Sequence, residues 1–221
     1  GLKESNDYNA RNICFNMNES KFDFYHKGDK IETIRLSMPG YHNVYNSLCS
    51  IALCMEIGIP IKVIKQSLKE FKGVRRRFDI KYNSKENIYI DDYAHHPTEV
   101  RATIDAVKKG WPDKKIISIF QPHLYSRTKQ FYKDFADSLL NSDKVILLDI
   151  YGSRENKIEG VTSELILSEI VKKGNKECFI VKKEELIDKL GQIHGKGNVI
   201  LTMGAGDLWM RGNEIIGYLD R

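Results

Sequence analysis

Five short apolar runs in the later part of the chain, Ile88–Ile90, Ile116–Phe120, Val145–Ile150, Cys178–Val181 and Val199–Met203, lack the polar alternation of a half-exposed strand. A strand that is apolar along its length needs cover on both faces, as strands of a parallel sheet between helices have. Between the runs, at Pro97–Lys109, Thr128–Leu140, Ser163–Lys173 and Glu184–Ile193, apolar residues recur at helical spacing. Strand and helix in alternation, joined by right-handed crossovers, predict an α/β, Rossmann-like domain with a mostly parallel sheet over residues 78–221.

Residues 1–77 have another rhythm. Cys14–Phe15, Phe22 and Phe24, a Lys27–Gly28–Asp29–Lys30 turn, and Ile34, Leu36 and Met38 read as alternating strands. After Pro39–Gly40 the period changes, and Val44, Leu48, Ile51 and Met55 predict a helix stopped by Gly58 and Pro60. Ile61, Ile64, Leu68 and Phe71 predict a second helix, ended by Gly73. A β-then-α block at 1–77 thus precedes the α/β domain, with Arg75–Arg76–Arg77 at the handover.

Hydrophobic residues at 41% and charged ones at 29% match a soluble globular chain rather than a disordered one. The longest apolar runs, such as Val145–Leu148, are too short to span a bilayer, and no basic-then-apolar leader opens the chain, so no membrane partner is expected. Leu2–Asp7 is polar and lacks a start Met, which reads as a piece of a longer protein with Gly1 left from a tag. The net charge of +5 permits nucleic-acid binding, but basic residues are interleaved with acids, as in Lys182–Lys183–Glu184–Glu185. A solvated surface and no nucleic-acid partner are the expectation. Cys14, Cys49, Cys54 and Cys178 have no C-x-x-C spacing. Cys49 and Cys54 fall in an apolar helical pattern and are expected to be reduced core thiols.

The stretch Ile90–Glu99 concentrates chemistry: Asp91, Asp92, Tyr93, His95, His96 and Glu99 follow an apolar run, and Pro97 stands where a helix begins. In open parallel sheets, ligands bind beyond the carboxyl ends of strands, beside helix N-termini that favour anions. Strand alternation from Ile88 through Ile90 sets Asp92 on one face and Asp91 on the other. His95, His96 and Glu99 raise a metal reading, but adjacent His side chains rarely aim at one ion and no further segment supplies matching ligands. No metal site is predicted.

Gln121–Thr128 follows the next strand. Ser126 or Thr128 could cap its helix; Arg127 is not needed for capping and opposes the helix dipole, which points to carboxylate binding. His42, Asn43 and Asn46 share one edge of a helix's first turn, and capping by Asn43 leaves His42 and Asn46 without a purpose. The Arg75–Arg77 run reads either as a solvated turn or as phosphate-neutralising guanidinium groups. Gly204–Ala205–Gly206–Asp207 is either a phosphate-cradling nest or a tight turn. A G-x-x-x-x-G-K-[ST] loop is not found, since Gly195–Lys196 is followed by Gly197.

"DDYAHHPTEV" (Asp91–Val100), with "MPGYHNVYN" (Met38–Asn46), "GVRRRFD" (Gly73–Asp79), "FQPHLYSRT" (Phe120–Thr128) and "MGAGD" (Met203–Asp207), resembles the Mur ligase family, and within it the members that join L-alanine to UDP-N-acetylmuramate. The resemblance implies that residues 1–77 are the C-terminal part of the central ATP-binding domain and 78–221 the C-terminal domain. It implies ATP-dependent amide formation through an acyl phosphate in peptidoglycan synthesis, in the bacterial cytoplasm. Asn43 and Asn46, with His42 beside them, would then meet the ATP adenine, and Arg77 and Asp92 the nucleotide, Asp92 at the ribose. Tyr93, His95, His123 and Arg127 would line the amino-acid pocket. The phosphate loop and most Mg2+ ligands would precede this stretch, in the missing part of the same chain, so the 221 residues are expected to be inactive alone and no catalytic residue is assigned. Similar proteins carry a second Arg where Leu124 stands, and a small residue where Arg75 stands. A sister ligase adding a peptide to UDP-N-acetylmuramate, a folylpolyglutamate-type ligase and a non-catalytic nucleotide-binding Rossmann module are the alternatives.

Overall fold

The computed structural model describes residues 1–174 and 177–220. The chain divides into two compact units, Gly1–Gly73 with Asp105–Pro112, and Val74–Ile104 with the residues from Asp113 onward.

In the first unit, β1 (Tyr8–Asn16), β2 (Glu19–His26) and β3 (Asp29–Leu36) form an antiparallel sheet in that order, followed by α1 (Tyr41–Glu56) and α2 (Ile61–Glu70). β2 and β3 are joined by Lys27–Gly28, both at positive φ (50° and 94°), the two-residue loop whose twist suits a hairpin. Alternate strand residues Phe22, Phe24, Ile34 and Leu36 meet Val44, Leu48 and Ile51 of α1 and Ile64 of α2 in one core. Each fully buried Ile, Leu or Phe there contributes about 1.5–3 kcal/mol. The expectation of core thiols fails for Cys49, which is exposed because the inward stripe of α1 runs through Val44, Leu48 and Ile51, whereas Cys54 is half-buried and packs against the edge of that core.

The second unit holds a six-stranded sheet in the order β4 (Asp79–Asn83), β5 (Ile88–Asp92), β9 (Asn198–Met203), β6 (Lys115–Phe120), β7 (Lys144–Leu147), β8 (Glu177–Ile180). All neighbours are parallel except β4 and β5. Its helices are the first part of α3 (Pro97–Gly110), which from Asp105 onward counts with the first unit, then α4 (Tyr125–Leu139), α5 (Glu164–Lys172), α6 (Leu186–Ile193) and α7 (Gly212–Leu219). On one face Tyr89, Ile117, Ile119, Ile146 and Ile200 pack with Leu186 and Leu190 of α6 and Ile215 of α7. On the other, Phe120 lies against Phe135 of α4, ring centroids 5.0 Å apart.

The expected mostly parallel α/β sheet is present, with local differences. β4 escaped the sequence pattern because it is a short, half-exposed edge strand, and α7 because Gly212, Asn213 and Gly217 dilute its helical signal. β7 ends at Leu147, short of the expected Ile150. α4 starts at Tyr125, not Thr128, and Glu184 lies in a 3-10 turn (Lys183–Glu185) before α6. No helix among the described residues is long and apolar enough to cross a membrane.

Candidate functional site

In the first unit, α1 begins after Gly40, whose φ of 102° suits glycine and where an added Cβ would strike the His42 ring at 2.8 Å. Asn43 is therefore not the cap. Its side-chain amide donates back to the Pro39 carbonyl at 2.7 Å and fixes the approach to the helix. Asn46, one turn on, is exposed, and His42 is half-buried, with burial lowering the pKa of its imidazole. Among the described residues Asn46 makes no side-chain hydrogen bond, whereas Asn43 already spends one donor on the backbone.

The second unit gathers its polar groups at the C-terminal ends of β5, β6, β7 and β9. Asp92, 6% exposed, accepts the Phe78 amide on Oδ2 and the Ala94 amide on Oδ1, each at 2.7 Å. Burial outweighs both amides and pushes the Asp92 carboxyl up to about 6. One acid thereby ties the residue after Arg77 to the residue after Tyr93. Arg77 is half exposed, reaches Glu99 at 3.7 Å and lies over the Tyr93 ring at 5.3 Å.

Glu99 occupies the third position of α3 and turns back to the amides of His95 (3.0 Å) and His96 (3.2 Å), the acid half of a capping box. Burial works to raise the Glu99 carboxyl, but the His95 amide, the His95 ring and the His96 amide outweigh it and hold the group below the usual carboxylate range. His95 Nδ1 lies 2.9 Å from the Tyr93 carbonyl, which orients its ring, while His96 turns to Phe131. Glu99, the two His amides and His95 Nδ1 are thus engaged at the strand-to-helix turn. Among the described residues no group of three or more His, Cys, Asp or Glu could hold a metal ion.

Across the sheet edge, the His123 ring stacks on Tyr151 (5.8 Å) and stands 6.1 Å from His95, and Arg127 Nη1 is 3.3 Å from His123 Nδ1. A guanidinium only donates, so His123 Nδ1 accepts and the proton of the neutral ring sits on Nε2. Burial, then the Arg127 guanidinium, lower the His123 pKa and so favour the neutral ring. Tyr93, whose ring is 5.2 Å from His95, completes the group. Tyr93, His95, His123 and Arg127, drawn from two segments, therefore stand together. Among the described residues Arg127 forms no ion pair with an acid.

Neither Ser126 nor Thr128 caps α4. The N-cap is Leu124, at φ 72°, a conformation that a branched side chain rarely adopts. Its amide is fixed by the Tyr151 carbonyl at 2.9 Å. The capping function comes from Glu155, which accepts the Ser126 amide at 2.9 Å and the Ser126 hydroxyl. Glu155 and Tyr151 were invisible in the sequence, because they lie beyond β7 and reach α4 only through the parallel pairing of β6 with β7.

Arg76 points to the opposite face from Asp92. Its Nη2 donates to the Gly204 carbonyl at 2.8 Å, its Nε faces Asp91 Oδ2 at 3.6 Å, and its guanidinium sits between Tyr93 and Trp209. Gly204 and Gly206 press on Gln121, where a Cβ would meet the Gln121 carbonyl at 2.7 Å or its side-chain oxygen. With the Gly204 amide already given to the Asp92 carbonyl, Gly204–Gly206 is a packed turn held by Arg76 and Gln121.

Residues 76–206 match the family described as Mur ligase, glutamate ligase domain. A UDP-N-acetylmuramate–L-alanine ligase of Hydrogenobaculum sp. is 44% identical over 96% of this chain and 46% of its own length. The structure is similar to a UDP-N-acetylmuramate–alanine ligase of Thermotoga maritima, with TM-score 0.81 and 28% identity over 97% of this chain and 46% of that one. A MurF ligase from Thermotoga maritima in complex with ADP shares the fold, with TM-score 0.68 and 18% identity over 96% of this chain and 45% of that one. The chain spans about half the length of the curated relatives it matches. With most of its length matched by the family and its polar groups gathered at the carboxyl edge of a mostly parallel sheet, the chain belongs to the Mur ligases.

Proposed function

We propose that this chain is part of a UDP-N-acetylmuramate–L-alanine ligase, which joins L-alanine to UDP-N-acetylmuramate at the cost of ATP in bacterial peptidoglycan synthesis. The observation that carries the reading is the convergence of Tyr93, His95, His123 and Arg127, with an arginine that no acid in the described chain neutralises. An α-amino acid attacking through its neutral amine keeps a charged carboxylate, and a fixed guanidinium is suited to hold it. His123 Nε2–H adds a neutral donor beside it.

In this reading Arg77 and Asn46 have groups free to meet ATP, with Asn43 and His42 shaping the start of α1. Asp92 acts on the nucleotide by holding Phe78, and through it Arg77, in register with Tyr93. An acyl phosphate must be kept from water, and a pocket walled by Tyr93, Tyr151 and imidazoles helps to do so. The ATP phosphates and Mg2+ are assigned to parts of the enzyme beyond these residues, so no step is drawn through the metal here. Catalysis by the 221 residues alone is not expected.

The test is phosphate release by the full-length enzyme that requires ATP, UDP-N-acetylmuramate and L-alanine together. Release driven by a peptide rather than by L-alanine would reassign the chain to a sister ligase. Nucleotide binding with no ligation under any pairing would leave a non-catalytic nucleotide module.

A further inference from the structure

Helix α4 opens without a side-chain cap of its own. Leu124 stands at the N-cap, at φ 72°, with no side-chain hydrogen bond to the first turn, and that turn holds no acid. The first amides of a helix have no partner within it, and their partial positive charge is best met by an anion. Arg127, in the same turn, adds a full positive charge to that end. Glu155, 29 residues beyond Ser126, answers both: its Oε2 accepts the Ser126 amide at 2.9 Å and its Oε1 the Ser126 hydroxyl. The hydroxyl, then the amide, hold the Glu155 carboxyl below the usual carboxylate range.

Glu155 belongs to a turn that grips the whole segment before α4. The Tyr151 amide donates to the Pro122 carbonyl at 2.8 Å, and the Tyr151 carbonyl accepts the Leu124 amide at 2.9 Å. Gly152 lies so close to Tyr125 that an added Cβ would meet its ring at 2.7 Å. The Glu155 amide donates to the Gly152 carbonyl at 2.9 Å, which closes the turn beneath Ser126. The same turn stacks Tyr151 on His123. His123 and Arg127, 3.3 Å apart, are therefore both held by it, His123 through Tyr151 and the start of Arg127's helix through Glu155. Since Arg127 forms no ion pair among the described residues, its guanidinium depends on that helix start and on His123 for its place.

We propose that Glu155 is a positioning residue for the amino-acid substrate: by holding the first turn of α4 it aims Arg127 at the substrate carboxylate. It acts through Ser126 and not on the substrate. The proposal rests on the function proposed above, in which Arg127 holds the L-alanine carboxylate.

The test is a double-mutant cycle on the full-length enzyme, with KM read separately for L-alanine and for ATP. Arg127→Ala should raise the L-alanine KM at least about tenfold. Glu155→Ala should raise it about fivefold or more, as loss of a helix cap implies, with kcat and the ATP KM within about twofold of wild type. Glu155→Gln keeps an acceptor for the Ser126 amide and should return the L-alanine KM to within about threefold of wild type. Glu155→Ala added to Arg127→Ala should cost less than about twofold more, because the two act as one unit. Amide hydrogen exchange supplies a readout apart from activity: in Glu155→Ala the Ser126 and Thr128 amides should exchange about tenfold faster, with Phe135 on the same helix unchanged.

The proposal is overturned if Arg127→Ala raises the L-alanine KM and Glu155→Ala does not, or if the two effects multiply in the double variant. A matching rise in the ATP KM, or equal acceleration at Phe135, would also overturn it, since either marks general destabilisation. If Arg127→Ala itself spares L-alanine, the reading of the pocket fails first, and this proposal falls with it.

Discussion

Asp91 and Asp92 are neighbours on β5 and face opposite sides of one sheet: Asp92 closes on the amides of Phe78 and Ala94, and Asp91 on the hydroxyl of Thr202 and the guanidinium of Arg76. The two carboxylates therefore serve different structures, and substitutions should separate them.

Asp92→Asn keeps one acceptor but aims an amide N–H at a backbone N–H. Loss of one charge-assisted hydrogen bond should lower stability by roughly 1.5–3 kcal/mol, several degrees in Tm for a chain of this size. In the full-length enzyme the ATP KM should rise, because Arg77 loses its anchor. Thermal denaturation and steady-state kinetics on the same variant check both. An unchanged Tm would show that the two amides are satisfied without the acid.

Asp92 also makes stability depend on pH. Its folded pKa, about 6, lies above the ordinary value of 3.8, so the folded state holds the proton more tightly than the unfolded chain. The contribution is fully present below the ordinary value and is lost as pH rises through about 6. Denaturant unfolding of wild type and Asp92→Asn across this interval should show wild type losing its relative advantage with rising pH. A difference that grows with pH refutes the assignment.

Arg127→Ala in the full-length enzyme should raise the L-alanine KM at least about tenfold, equivalent to roughly 1.4 kcal/mol of binding, and leave the ATP KM nearly unchanged. The reverse pattern would place this segment against the nucleotide.

Leu124 caps α4 at φ 72°, where a side chain is strained. Leu124→Gly should stabilise the protein by up to about 1 kcal/mol if relief of the backbone exceeds the loss of a half-buried side chain. Leu124→Arg retains the strain and should leave Tm within a degree or so of wild type. Calorimetry of the pair separates backbone from side-chain effects.

The sequence by itself determined the layers. Uninterrupted apolar runs at Ile116–Phe120 and Val199–Met203 require cover on both faces, and alternation along Ile88, Ile90 and Asp92 set the facing of the acids, because both are local consequences of strand geometry. The position of Arg127 against the helix dipole also marked it. Only the tertiary structure decided what those groups touch. β9, last in sequence, inserts between β5 and β6 and brings Gly204 and Gly206 under Arg76. The pairing of β6 with β7 carries Tyr151 to His123 and Glu155 to Ser126. Strand order and long-range side-chain partners have no period in the sequence, since they arise from which buried surfaces fit once the strands have formed. That is why the sequence sets Asp92 at the strand end but not the Phe78 and Ala94 amides that it accepts.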